Sequence, residues 1–220
     1  MFKYDKTEVT MYLSEFIWNF NIGGNIIYNF KILFLLYEAK KNGLEEDAMC
    51  YNKPITIFLV SIIEAILIDL LIRLDNATND LPECLASDDV LKIKSKIGKD
   101  KRQKERIDVL TGEAQKYYAM KRYDFKEIID YCRKFNLLFS ENGNIYKYLD
   151  NFAWLRNRIH IENYHKNFEP NEEAVFTGDR LEIMEKTINY ILSVMANRYG
   201  RKLNKFTKKE NLKAWLILIN

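Results

Sequence analysis

The sequence has few of the residues that interrupt helices, with eight glycines and three prolines in 220 residues. Glycine and proline are the strongest local signals for turns and breaks in secondary structure. Their scarcity favours long helices over many short strands. No segment that alternates between polar and apolar residues is long enough to predict a sheet.

Residues that bind metals are also scarce. The three cysteines, Cys50, Cys84 and Cys132, are far apart and form no CxxC pair. The two histidines cannot complete a recognisable zinc pattern with them. No glycine-rich phosphate loop is present. We therefore expect no metal and no cofactor, and reduced cysteines in a cytosolic protein.

Neither sign of charge dominates the chain, whose formal net charge is +3. A nucleic-acid interface would therefore depend on a local cluster. One such cluster spans Leu91 to Arg106, which contains eight lysines and arginines but only two acidic residues. Its apolar residues are sparse, so any helix here would be weakly anchored. The cluster could form a basic patch that faces RNA or a solvated surface, and both interpretations stay open.

A single hydrophobic run approaches the length of a membrane span, from Pro54 to Ile72. It contains Glu64 and Asp69, which would both be costly in lipid. A helix that is apolar nearly all round also suits the centre of a bundle, which is the interpretation we favour. A membrane-associated effector is the weaker alternative. Because the N-terminus lacks the apolar region of a signal peptide, we expect a cytoplasmic protein with no membrane partner.

Helical periodicity and helix-end signals indicate an all-α fold, an up-and-down bundle of four to five main helices with peripheral short helices. We expect one bundle domain over residues 1–204. The tail, 205–220, is basic and then apolar, and would pack on the bundle or on a partner. The helices are expected from the capping box Asp5–Glu8 to Gly23, from Ile26 to Lys41, from Pro54 to Asp75, from the capping box Asp124–Glu127 onward, after the turn Asn142–Gly143, and from Arg180 to Arg198.

The helix that follows the Asn142–Gly143 turn carries an unexpected charge. Its apolar stripe consists of Ile145, Leu149, Phe152 and Ile159, and Arg156 falls within that stripe. If the helix continues, His160 lies one turn further along the same face. A guanidinium aimed at the interior requires a charged partner, an interface or an anion.

Two interpretations account for this arginine. In the structural one, Arg156 pairs with a buried carboxylate, for which Glu64 is the obvious candidate, and His160 caps the helix C-terminus. In the chemical one, the imidazole transfers a proton at neutral pH while the guanidinium holds a phosphate through two parallel hydrogen bonds. Together they suit cleavage of a phosphodiester without a metal, and Asn157 could orient either group.

The run Leu155–Ile161 resembles the Arg-Asn-x-Ile-His signature of the HEPN superfamily (higher eukaryotes and prokaryotes nucleotide-binding domain). The helix that begins at Phe125 and the glutamate within Ser61–Ala65 are similar to elements that accompany this signature. The resemblance implies a helical bundle that commonly dimerises, so that arginine and histidine motifs meet in one cleft. Many members are metal-independent endoribonucleases, including toxins and phage-defence proteins. Others are non-catalytic modules.

Carried onto this sequence, the resemblance implies that Arg156 stabilises the phosphate, Asn157 supports the site and His160 acts as general acid or base. The chain departs from the family pattern in its spacing, since three residues separate Arg156 from His160 rather than four to six. Arg158 and His165 enclose six residues, but on a continuing helix they lie opposite the apolar stripe. They are therefore supporting candidates, together with Glu64.

A second departure concerns the tyrosine found two residues after the histidine in members inhibited by a nucleotidyltransferase antitoxin. Here Glu162 occupies that position, which puts this partner in doubt. The leading hypothesis is a homodimeric, metal-independent endoribonuclease that acts on RNA as a toxin or antiviral effector, with an antitoxin or other regulatory protein as a further partner. The alternative is a non-catalytic helical module for dimerisation or for binding a partner or nucleotide.

Overall fold

The computed structural model of the chain describes residues 23–44, 47–76, 87–98, 101–107, 111–120, 123–141, 143–158 and 171–199. These residues are mainly helical, so the predicted helical fold class is confirmed. The up-and-down order of the bundle stays a prediction. The helices in the described part are α1 (Gly23–Asn42), α2 (Asn52–Asn76), α3 (Ser87–Gly98), α4 (Phe125–Lys134), α5 (Asn144–Asn157), α6 (Glu172–Val175) and α7 (Gly178–Tyr199), with a 3-10 turn over Ala48–Tyr51.

Helix α2 lies at the centre and contacts α1, α3, α4, α5 and α7. Side chains such as Ile63, Ile66 and Leu67 are fully buried within the core. A helix that is apolar nearly all round is stable in water only when other elements cover it on every side. The predicted central helix from Pro54 to Asp75 is therefore confirmed to within two residues at its start and one at its end.

The segment Ala48–Ile72 is also long and apolar enough to cross a membrane, judged by length and composition. In this fold, most of its apolar surface is buried. A buried core helix meets the same criteria as a membrane span. This helix is a core helix in the structure, and the cytoplasmic location stays a prediction.

The predicted helix ends agree with the structure where they are described. The Asp124 carboxylate accepts from the Glu127 backbone N–H at 2.8 Å, and the Glu127 carboxylate accepts from the Asp124 N–H at 3.1 Å. This reciprocal capping box begins α4. Gly143 adopts φ 64°, a left-handed conformation that glycine favours, immediately before α5. Gly43 follows the end of α1 and donates its N–H to the Ala39 carbonyl at 2.8 Å.

Three local expectations differ from the structure. The basic region is split between α3 and a β-hairpin, β1 (Lys101–Ile107) and β2 (Ala114–Met120), whose strands pair antiparallel. Neither strand alternates polar with apolar residues, so periodicity did not reveal them. The described helix α1 already includes Gly23, three residues before the expected start at Ile26, and the short helix α6 lies before Arg180, where no helix was predicted. The expected first helix and the tail 205–220 lie outside the described residues.

We expect Ile63→Ala to lower the free energy of unfolding by about 2–5 kcal/mol, because it removes methylene and methyl groups from the fully buried face of α2 and leaves a cavity. Urea unfolding followed by circular dichroism measures this change. Leu35→Ala is the matched control, since Leu35 is 64% exposed on α1. An equal loss in both variants would contradict the central position of α2.

Candidate functional site

Helix α5 carries the predicted arginine and packs against the centre of the molecule. The predicted apolar stripe is buried where it is described, with Ile145, Leu149 and Phe152 in the core. This face contacts α2, α4 and α7. Tyr146 adds a polar anchor, since its hydroxyl donates to the Cys132 carbonyl at 2.9 Å on α4. Helix α5 is therefore held by packing on several helices.

Helix α5 ends at Asn157, earlier than the continuing helix considered from the sequence. Arg158 occupies the C-cap position, and its N–H donates to the Leu155 carbonyl at 3.0 Å. His160 and His165 lie outside the described residues. Because the helix ends before His160, helical spacing does not relate His160 to Arg156. The preference for the Arg156–His160 pair over the Arg158–His165 pair assumed a continuing helix, and it stays a prediction.

Arg156 forms an ion pair with Glu64 of the central helix. The Arg156 Nε lies 3.2 Å from the Glu64 Oε2, and the two side chains are 36% and 15% exposed. This is the partner predicted for an arginine within an apolar stripe, and that prediction is confirmed. Of the residues that the structure describes, Glu64 is the only one that pairs with Arg156. The ion pair engages Nε, and the two terminal Nη groups retain donors that could meet an anion.

Arg158 was expected opposite the apolar stripe, but the structure buries it to 6% exposure. The expectation failed because the Arg158 side chain packs over Trp154 of the preceding turn rather than extending into solvent. Its guanidinium carbon lies 5.7 Å from the centre of the Trp154 ring, a cation–π distance. The negative end of the helix dipole also favours a cation there. Arg158 therefore contributes to packing at the end of α5.

Arg180 of α7 contacts the same aromatic ring, with its guanidinium carbon 5.9 Å from the centre of the Trp154 ring. Its Nη1 also donates to the carbonyl of Val175 at 2.8 Å, at the end of α6. Neither Trp154 nor Arg180 was predicted from the sequence to belong to the site. The spacing of four between Trp154 and Arg158 is a signal that could have indicated a local aromatic–cation contact.

Asn157, the third predicted site residue of this helix, is exposed at the last helical position. It therefore lies at the surface beside the partly exposed Arg156. The structure thus brings Arg156, Asn157 and Glu64 to one end of α5, with Arg158 packed beneath them against Trp154.

A charged network holds α5 against α4. Asp150 accepts from Lys126 Nζ at 2.7 Å and from Arg133 Nη2 at 2.5 Å. Both cations also bind Asp130 on α4. Burial of Asp150 opposes its ionisation, but the hydrogen bonds from Arg133 and Lys126 outweigh this effect and lower its pKa below the ordinary value of 3.8. The network ties the two helices together at neutral pH.

The described part of the chain shows no metal centre, and its buried thiol is unreactive. No group of three or more histidine, cysteine, aspartate or glutamate residues there could hold a metal ion. Burial raises the pKa of the Cys132 thiol to about 12, so it is protonated at neutral pH and is not a nucleophile. The absence of metal from the reaction stays a prediction.

Comparisons of the chain with protein-family models, curated proteins and solved structures gave no match. The resemblance to the HEPN superfamily therefore depends on the sequence of the Arg156–His160 segment and its neighbours.

We expect the stability of the protein to decrease in acid partly through Asp150. Because its folded pKa is lowered, the unfolded chain binds the proton first, and the contribution of Asp150 is present above pH 3.8 and lost as pH falls through the folded pKa. Urea unfolding between pH 7 and about pH 3 should show a smaller loss of stability in Asp150→Asn than in wild type. An identical pH dependence in both proteins would contradict this role.

Proposed function

We propose that this protein is a metal-independent endoribonuclease of the HEPN type, which acts on RNA as a toxin or as a phage-defence effector. The observation that carries the proposal is that Arg156 is both ion-paired and partly exposed. Its Nε is paired with Glu64 of the central helix, while about a third of the side chain is exposed at the end of α5. A guanidinium held in this way is oriented before a phosphate binds and retains donors for it.

The chemistry assigned to this site is a transesterification within RNA. The ribose 2′-oxygen attacks the adjacent phosphorus, its proton passes to a general base, and the bond from phosphorus to the 5′-oxygen breaks. The leaving oxygen receives a proton from a general acid, and a 2′,3′-cyclic phosphate remains. His160 would make either proton transfer, because imidazoles exchange protons near neutral pH, and Arg156 would offset the charge that develops on the phosphate. Asn157, exposed beside Arg156, would support the site.

One histidine cannot be both base and acid in the same step. A homodimer would bring a second His160 to the cleft, as the resemblance implies. An antitoxin or other regulatory protein would then control the assembled site. The need for a second histidine follows from the two proton transfers in the reaction.

We expect the purified protein to cleave RNA in the presence of EDTA and to leave 2′,3′-cyclic phosphate ends. His160→Ala should reduce the cleavage rate by about 10²–10⁴-fold, because it removes the group that transfers the proton. Arg156→Ala should reduce it by about 10²–10³-fold, because it removes a stabilising charge. Gel electrophoresis of end-labelled RNA measures both rates. Lys147→Ala, which removes an exposed cation of α5, is the control and should cleave like wild type. Undiminished cleavage in both site variants would refute the assignment.

The second candidate function is a non-catalytic helical module for dimerisation or for binding a partner or nucleotide. The same ion pair favours it, because Glu64 already supplies Arg156 with the opposite charge within one chain. A paired buried charge can persist for structural reasons alone, since removing one partner leaves the other uncompensated. In this case Arg156 would hold α5 on α2, and Arg158 would hold the end of the helix on Trp154.

Glu64→Gln separates the two functions, because it removes the charge next to Arg156 and leaves Arg156 in place. If Glu64 orients the guanidinium for catalysis, RNA cleavage should fall about tenfold while the free energy of unfolding falls by about 1 kcal/mol, given the partial exposure of the pair. A double-mutant cycle with Arg156→Ala then measures the coupling energy of the pair. If the cycle gives a clear coupling energy and the wild-type protein never cleaves RNA, the result supports the non-catalytic function instead.

A further inference from the structure

The β-hairpin carries the second half of the basic cluster and is separate from the helical core. Strands β1 and β2 pair with each other, and neither packs extensively against any of the helices that the structure describes. The turn between them is exposed over residues 111–114. A two-stranded hairpin alone is marginally stable in water, so a ligand that binds one of its faces would stabilise it.

The register of the hairpin sorts its charges by face. Because successive residues of a strand alternate between faces, directly paired residues share one. The even-numbered positions of β1 and their partners define the first face, called here the basic face. Its pairs are Arg102 with Ala119, Lys104 with Tyr117, and Arg106 with Gln115.

The basic face contains three cations, one tyrosine and no acidic residue. The acidic residue of the hairpin strands, Glu105, lies on the opposite face, directly across from Lys116. Such an opposite-charge pair favours the observed register. Both residues are exposed, as are Gln103 and Ile107 of the same face. The opposite face therefore carries a net charge of +1 from Lys101, Lys116 and Glu105, against +3 on the basic face.

We infer that the basic face of the hairpin binds the backbone of single-stranded RNA, with Arg102, Lys104 and Arg106 at phosphates and Tyr117 stacked on a base. Surfaces that bind single strands combine a line of cations along the backbone with an aromatic residue for the bases. The three cations recur at every second residue of one strand, about 6.6 Å apart along it. The choice of RNA as the ligand rests on the proposed function, and the hairpin would hold the RNA that the Arg156 site cleaves.

The test uses the full-length protein and a fluorescein-labelled 2′-O-methyl oligoribonucleotide of about 16 nucleotides, near the upper end of single-strand site sizes. The methyl group blocks the 2′-oxygen, so binding is measured without cleavage. Fluorescence anisotropy gives Kd at several salt concentrations. Each phosphate contact to a single strand contributes about 0.7 to the slope of log Kd against log salt.

Two double variants remove the same charge from opposite faces. Lys104→Gln with Arg106→Gln should raise Kd about tenfold or more and reduce the salt slope by about 1.4, since two phosphate contacts are lost. Lys101→Gln with Lys116→Gln is the matched control and should change Kd by less than about threefold. Equal effects from the two faces would overturn the inference, because they would reflect only the overall charge.

The neighbouring tyrosines test the register without changing the charge. Tyr117→Ala should weaken RNA binding about tenfold, because it removes a stacking surface, and Tyr117→Phe should restore the affinity. Tyr118→Ala changes the same side chain on the opposite face and should have little effect. Thermal unfolding of each variant identifies any loss of folding. A larger effect at Tyr118 than at Tyr117 would overturn the inference.

Two further outcomes separate this inference from the proposed function. If the hairpin variants lose RNA binding but wild type never cleaves unmodified RNA, the proposed function fails and the RNA-binding face stands. If wild type cleaves RNA and the hairpin variants bind and cleave it normally, the inference fails and the proposed function stands. Binding of the basic face to vesicles of phosphatidylserine and phosphatidylcholine, without binding to RNA, would also overturn the inference.

Discussion

Helix α2 has almost no polar face, and the arrangement of the described helices follows from the need to cover it. An amphipathic helix buries one stripe and leaves the other in water, but Ile63, Ile66 and Leu67 all require apolar neighbours. Five other helices contact α2 and provide them. The position of α5, and therefore of Arg156, is one result of this requirement.

The same requirement explains the ion pair at the candidate site. Glu64 is a charge on a helix that is otherwise buried, and a carboxylate with 15% exposure needs a counter-charge or contact with water. Arg156 satisfies that need from α5 while its own side chain still reaches the surface. One contact thus serves the stability of the core and orients a cation at the surface, which is why both proposed functions start from it.

The sequence supported the main features of this site because they depend on local patterns. Helical spacing placed Arg156 in an apolar stripe, and Glu64 of the predicted core helix was named as its candidate partner. The environment of the residues at the end of α5 was harder to predict. The end of α5 depends on Arg158, whose backbone caps the helix and whose guanidinium lies over Trp154. Periodicity does not show how a long side chain packs, so it assigned Arg158 to the wrong environment.

Periodicity also failed to predict the secondary structure of the hairpin. Strand β1 consists largely of charged residues and β2 does not alternate polar with apolar residues, so neither shows a period of two in hydrophobicity. The strand conformation places three cations of β1 on one face, and the pairing with β2 adds Tyr117 to that face. The main helices, the capping box of α4 and the buried α2 could be read from the chain, because propensity, capping and apolar content act over a few residues. Helix termination, the burial of Arg158 and the charge of the hairpin face were decided in three dimensions, because each depends on residues that meet only when the chain has folded.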